Sequence, residues 1–476
     1  MTAPPPVAWS RILLPAGFVV VVLSLLSNGY GYDRDELYFS MLRPAWGYVD
    51  QPPFTPLLSH AISAVHDGGP WLLRVPAVLF AAGCVVFTGL LARELGGDAR
   101  AQGWAAYGVA TTSAVIVLGH VFLTSTADLT LWPAICVCVV RAERQDRPRW
   151  WLAAGALAGL ATYNRLLVGV LVAGLALGLA LVGPRRRLLS PYVLGGALVA
   201  VVVALPNELY QLLNGWPEAD MGRALAANNA ADTRVAMFPL LVLLFGPPLV
   251  VIWVAGLVAL WRDRRLRFLV VAFGVLVVFT FVGGTQPHYP VFLLPLPFAA
   301  GIVAMERRLG RVWAGLFALN GLVSAFIGLP LVPVGSVGAT PVPGVNPLVG
   351  DSVGWPAYVR QITTVYDALP DRASAVVYAS NYGEAGAVHH YAPQLPVFSG
   401  QNGLYDQARP PASATTVVVV GGQYPDVRHL FATCRVVDRL DNGVGVDNEE
   451  QGEPVAVCRG PSASWAVLWP RLRHLD

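Results

Sequence analysis

Lysine is absent from this 476-residue chain, so all 32 basic residues are arginine. Charge of either sign is scarce, at 13% of residues, where a soluble domain carries about 25%. A larger soluble core does not account for the deficit, because single cores stop growing near roughly 250–300 residues. A surface facing lipid does. The net charge of +3 points to no nucleic-acid partner, and none is expected. The chain has no phosphate-binding glycine loop, no CxxC pair and no HExxH, and Cys136-Val137-Cys138 has the wrong spacing and setting for zinc. Residues 12–27 follow Arg11 as an apolar run without a small-residue cleavage site, so they read as a retained first span rather than a signal peptide. No internal repeat is evident.

What the sequence does have is apolar length. Hydrophobic residues make up 55% of it and mean hydropathy is +0.56. A helix needs about 20 mostly apolar residues to cross about 30 Å of hydrocarbon. On that measure the candidate spans are 12–28, 71–92, 103–121, 128–140, 150–164, 167–182, 189–206, 237–260, 267–283, 289–305 and 312–331. Arginine clusters at Arg93/Arg100, Arg141–Arg149, Arg185–Arg187, Arg262–Arg267 and Arg307–Arg311 all fall on one side if the N-terminus is cytoplasmic. About eleven transmembrane helices then leave the tail outside. The expectation is an α-helical polytopic protein of the plasma membrane, with residues 1–331 in the bilayer and a small extracytoplasmic α/β domain at 332–476.

Two spans have unusual lengths. Residues 150–182 are too long for one crossing and are expected to turn back near Tyr163-Asn164-Arg165. Residues 128–140 reach only about 20 Å as a helix, which sets Asp128 within the outer membrane depth. In the tail, Val376–Tyr378, Leu395–Phe398, Thr415–Val420, Arg435–Val437 and Val455–Val457 read as short buried strands between turn residues. Ser380–Tyr391 reads as a loop entering a helix. Cys84, Cys136 and Cys138 sit in apolar runs as packing residues, whereas Cys434 and Cys458 lie in the hydrophilic tail, available for a disulfide in an oxidising space.

Chemistry-bearing residues gather toward the outer face. The first outer loop, 29–70, holds Asp35-Glu36 and continues as Trp46-Gly47-Tyr48-Val49-Asp50-Gln51-Pro52-Pro53. A carboxylate in a partly dehydrated cavity is a general base for a hydroxyl. The blander reading is that the pair opens a helix at its favourable end. Acidic residues inside a membrane default to function, and Asp128 is set against a reading in which Thr124, Ser125 or Thr126 simply satisfies it. Arg165 and His288, the latter in Gln286-Pro287-His288-Tyr289, end helices on the same face. The planar arginine fork suits a phosphate; snorkelling to headgroups is the alternative.

Together these segments resemble the GT-C glycosyltransferases, nearest the bacterial branch related to protein O-mannosyltransferases and the lipid A aminoarabinose transferase. The resemblance rests on the acidic pair after the first span, on Gly47–Pro53 and on Asp128. In the tail it rests on Asn381–Ala387, Ser399–Asn402 and Trp465–Arg471. It implies a polyprenyl-phosphate-linked sugar donor, an extracytoplasmic site, and an acceptor hydroxyl on a protein, a lipid or a cell-wall glycan. It further implies Asp35 as base with Glu36 beside it, and Asp128 as the acid of the second outer loop. Asp50, Gln51, Arg165, His288 and Tyr289 would contact substrate. Gln51 stands where the aminoarabinose branch has lysine, Arg165 where relatives often have lysine, and His288-Tyr289 where they have two tyrosines. No cofactor is required by the resemblance, although two carboxylates are also a donor set for a divalent cation. The competing readings are a transporter or flippase with Asp35, Asp128 and Arg165 on its polar path, and a non-catalytic scaffold. Charges at one face and the lack of a repeat weigh against the transporter, and the scaffold leaves Asp128 unexplained.

Overall fold

The computed structural model describes residues 4–65 and 68–476. The chain is mostly helical and divides into two compact units. One comprises the N-terminal stretch to Ser27 with Arg74–Leu329; the other comprises Asn28–Leu73 with Pro330–Asp476. The first outer loop thus groups with the tail and not, as the sequence suggested, with the spanning helices.

The first unit is a bundle of apolar helices. Among the described residues five helices are long and apolar enough to cross a membrane, or six if one bent pair counts as a single span. Every expected span lies on a helix or a broken pair of helices, with two corrections. The helix bearing Asp128 runs Thr124–Arg144, about 31 Å at 1.5 Å per residue, so it is long enough to span. The polar turns at both of its ends, which hydropathy discounts, are helical too. The expected single span 237–260 is broken: Pro217–Phe245 and Pro247–Arg262 meet at 89°. Gly246 adopts φ +106°, open to glycine at little cost, and Pro247-Pro248 follow it. A long hairpin is expected at 150–182, and helices Trp150–Ala161 and Val168–Leu181 indeed flank a turn there.

Small residues let these helices approach closely. A Cβ on Gly256 would lie 1.7 Å from the Pro297 carbonyl oxygen, and one on Gly301 would lie 1.8 Å from that of Ile252. The helices Val250–Arg262 and Pro295–Met305 are therefore in backbone contact, the packing small residues permit inside a bilayer.

The second unit holds a five-stranded sheet of β1 (Ala375–Ala379), β2 (Val397–Phe398), β3 (Thr416–Val420), β4 (Phe431–Arg439) and β5 (Pro454–Pro461), in the order β2-β1-β3-β5-β4. Strands β1, β2 and β3 run parallel, and β5 and β4 continue antiparallel. All five expected strands are present. Strands β1 and β3 are buried throughout, which is why they read as unbroken Val/Ala runs. Trp465, Leu468 and Trp469 from the chain's end pack against Tyr378, Val417 and Val419. The Trp465 indole donates to the Ala414 carbonyl at 2.9 Å, giving Trp465–Arg471 a structural role. Cys434 and Cys458 are cross-strand partners on β4 and β5 and form a disulfide.

Candidate functional site

The eight candidate residues fall into two groups, one in each unit. In the helical unit, Asp128, Arg165, His288 and Tyr289 come together although they are up to 161 positions apart in sequence. Asp128 lies one turn into its helix and is 1% exposed. Its Oδ1 accepts from the Asn164 amide at 3.1 Å, and its Oδ2 lies 3.7 Å from Arg165 Nε. Arg165 Nη2 donates to Thr124 and, at 3.1 Å, to the Ser125 hydroxyl, while its guanidinium sits 5.0 Å over the Tyr289 ring. His288 Nε2 shares a hydrogen bond with Ser125 at 3.1 Å. Arg165 is thus held from three sides, and its Nη1 is buried without a protein partner. A buried donor left over in this way suits an anion supplied from elsewhere.

The turn at 162–167 makes this possible, because it delivers Asn164 and Arg165 as neighbours at the end of the Trp150–Ala161 helix. Thr124, Ser125 and Thr126 do not satisfy Asp128. Thr124 and Ser125 serve Arg165, and Thr126 bonds the Leu123 carbonyl at 2.7 Å. Sequence reasoning missed Asn164, whose only signal was its place in the expected turn.

In the second unit, Asp35 and Glu36 open the helix Arg34–Met41 through a reciprocal cap. Asp33 accepts from the Asp35 amide at 2.9 Å, and the Glu36 carboxylate accepts from the Asp33 amide at 2.9 Å. Glu36, fully buried, therefore braces the turn that presents Asp35. This agrees with the blander reading for Glu36. Asp35 Oδ1 accepts a hydrogen bond from the Tyr382 hydroxyl at 2.9 Å. The Tyr382 ring lies 5.0 Å beneath the Arg34 guanidinium and 4.7 Å from the Tyr38 ring. Arg34 pairs in turn with Glu449, with Glu450 at 3.7 Å and with Asp351 at 3.9 Å.

Asp50 and Gln51 lie in the same unit. The Gln51 amide approaches Asp50 Oδ2 at 3.4 Å, and the Gln51 carbonyl accepts from the Tyr48 amide at 3.0 Å. Gln51 is 5% exposed, so it closes the loop as much as it lines anything. Burial pushes the Asp50 carboxyl up to about 7; the Tyr38 hydroxyl opposes the rise and the negative charge of Asp35 adds to it. Asp351 is raised to about 7 by burial, against the pull of Arg34. Burial and the surrounding acids, Asp35 first, raise Asp33 well above the usual range. Tyr382 is also raised well above its usual value, by burial and then by Asp35, so it keeps its proton and acts as a donor. Among the described residues no group of three or more His, Cys, Asp or Glu side chains is placed to hold a metal ion. The partners of Asp128 are Arg165 and Asn164, so a divalent cation does not fit there and no step is assigned to one.

Comparison with known proteins agrees with the family resemblance. A family model described as dolichyl-phosphate-mannose-protein mannosyltransferase matches residues 50–210, a stretch that contains Asp50, Gln51, Asp128 and Arg165. The fold is shared with ArnT from Cupriavidus metallidurans, solved bound to undecaprenyl phosphate. The likeness covers 94% of this chain and 98% of that one, at a TM-score of 0.58 and 16% identity. The apo state of the same protein matches at 15% identity with the same coverage and TM-score. No curated protein matches the chain.

Proposed function

We propose that the chain is a membrane glycosyltransferase that moves a sugar from a polyprenyl-phosphate donor to an acceptor hydroxyl on the extracytoplasmic face. The observation that carries this reading is the partly buried Arg165, braced by Asp128, Thr124 and Ser125 with its buried Nη1 still to be satisfied, in a fold shared with a protein solved with undecaprenyl phosphate. In the reaction, Asp35 takes the proton of the acceptor hydroxyl as its oxygen attacks the anomeric carbon. The bond from that carbon to the phosphate oxygen breaks, and its electron pair leaves with the lipid phosphate. A phosphate is already a good leaving group, so no general acid is needed. Arg165, with His288 near it, stabilises the departing charge. A single displacement inverts the anomeric centre, unlike a two-step retaining route.

Eleven crossings with arginines on the cytoplasmic side would put the tail in an extracytoplasmic space at the plasma membrane, and the Cys434–Cys458 bridge suits an oxidising compartment. The test is to incubate purified protein with radiolabelled polyprenyl-phosphate sugars and a membrane extract, in detergent and in vesicles. Label appearing on an acceptor supports the reading. Intact donor crossing the vesicle membrane without transfer overturns it in favour of a flippase.

A further inference from the structure

We propose that Tyr382, contributed by the C-terminal domain, positions the carboxylate of Asp35, so that this domain is part of the catalytic apparatus and not only an appendage. The inference rests on the reading of Asp35 as the general base.

The sequence is built to bring this hydroxyl to that carboxylate. Helix Tyr382–Tyr391 begins with a reciprocal cap. Asn381 accepts from the Glu384 amide at 2.8 Å, and Glu384 accepts from the amides of Ser380 at 2.8 Å and Asn381 at 3.2 Å. The cap fixes the first residue of the helix, Tyr382, whose own amide donates to Gln401 Oε1 at 2.6 Å. Two glycines then let this helix lie directly on Arg34–Met41. A Cβ on Gly386 would come within 2.7 Å of the Leu37 backbone, and one on Gly383 within 3.0 Å of Arg34 Cβ. Any larger residue at 386 would drive the two helices apart and draw the hydroxyl off Asp35. The ring is held as firmly, between the Arg34 guanidinium and Tyr38. Residues 381–387, which resembled the tail of bacterial relatives without an assigned task, thus supply a capped, glycine-seated tyrosine aimed at the first-loop acid.

A donor fixed on one oxygen of a carboxylate orients the group and favours its charged form. Charged and titratable groups beside Asp35 include Asp33 at the cap of its own helix, Asp50 in the loop that follows, and Asp351 and Tyr382 from the C-terminal segment. Three of these are acids, and like charges disfavour the ionised form of a carboxylate; the Tyr382 hydroxyl opposes them by donating to Asp35 Oδ1.

The experiment measures sugar transfer by full-length wild type, Tyr382→Phe and Asp35→Asn across pH 5–9. Phenylalanine keeps the ring and its packing. The expected result is a fall in kcat of about 10- to 100-fold, the scale of a slight misplacement. KM for the donor should be nearly unchanged, and the acidic limb of the pH profile should move to higher pH. Site-specific 3-fluorotyrosine at 382, a more acidic donor, moves the limb the other way and perturbs folding least. A limb that stays in place for both replacements, while Asp35→Asn is inactive, overturns the positioning role and leaves the base assignment standing. Full activity of Asp35→Asn overturns that base assignment instead.

Discussion

Replacing Arg165 by alanine removes the cation from a carboxylate that is 1% exposed. The charges face each other at 3.7 Å, a gross attraction of about 4–5 kcal/mol at an effective dielectric near 20. Removing one partner of a buried pair costs about 3–5 kcal/mol, because the other is left uncompensated. Arg165 retains 15% of its side-chain exposure, so the lower end, about 3 kcal/mol, is expected. Asn164 still serves Asp128 Oδ1 but not Oδ2. The double variant Arg165→Ala/Asp128→Asn no longer strands a charge and should recover about 2 kcal/mol of that loss. Affinity for a polyprenyl phosphate should fall at least about tenfold in both variants, since both lack the phosphate-facing cation. Unfolding in detergent, followed by intrinsic fluorescence, gives the stabilities, and a lipid-phosphate titration gives the affinities. Single and double variants equally unstable, with binding intact in both, would refute both the pairing and the anion role.

Asp50 gives a pH signature. Its pKa is raised from 3.8 to about 7, so the stabilising protonated form is fully present below the unfolded value and is lost as pH rises through about 7. On the order of 4 kcal/mol separates its two forms at most, less for its partial exposure. Wild type should therefore lose stability progressively between about pH 4 and 7 relative to Asp50→Asn and level off above pH 7, which unfolding midpoints at several pH values will check. Opening the Cys434–Cys458 bridge, which spans 24 residues, should cost about 2–4 kcal/mol, seen as a lower melting temperature of the tail under reductant or in Cys434→Ser/Cys458→Ser. Gly256→Leu sets a side chain into the Pro297 carbonyl and should abolish monodisperse elution, whereas Gly274→Ala, with nothing within 4 Å, should leave it unchanged.

Local pattern was enough for most of the architecture. Apolar length gave the helices, and short Val-rich runs between turn residues gave β1 to β5. It failed where geometry depends on more than hydropathy. The break at Gly246 lay hidden in a uniformly apolar stretch, and the polar residues Thr124–Thr126 looked like loop although they form the first turn of a helix. The site was legible residue by residue but not in its contacts. Asp128, Arg165 and His288 were singled out on chemistry, yet Asn164 as the partner of Asp128 depends on the backbone path of a turn. Tyr382 lies 347 positions from Asp35, and no local signal pairs a tail tyrosine with a first-loop acid. Glu36 shows the opposite limit, since an acid beside a candidate base is also what a reciprocal helix cap requires.

The most direct measurement is transfer of radiolabel from a polyprenyl-phosphate sugar by purified wild type and by Asp35→Asn, with donor binding and folding measured in parallel. The account predicts transfer by wild type and none by a variant that still folds and binds donor. Transfer by Asp35→Asn at the wild-type rate would contradict it.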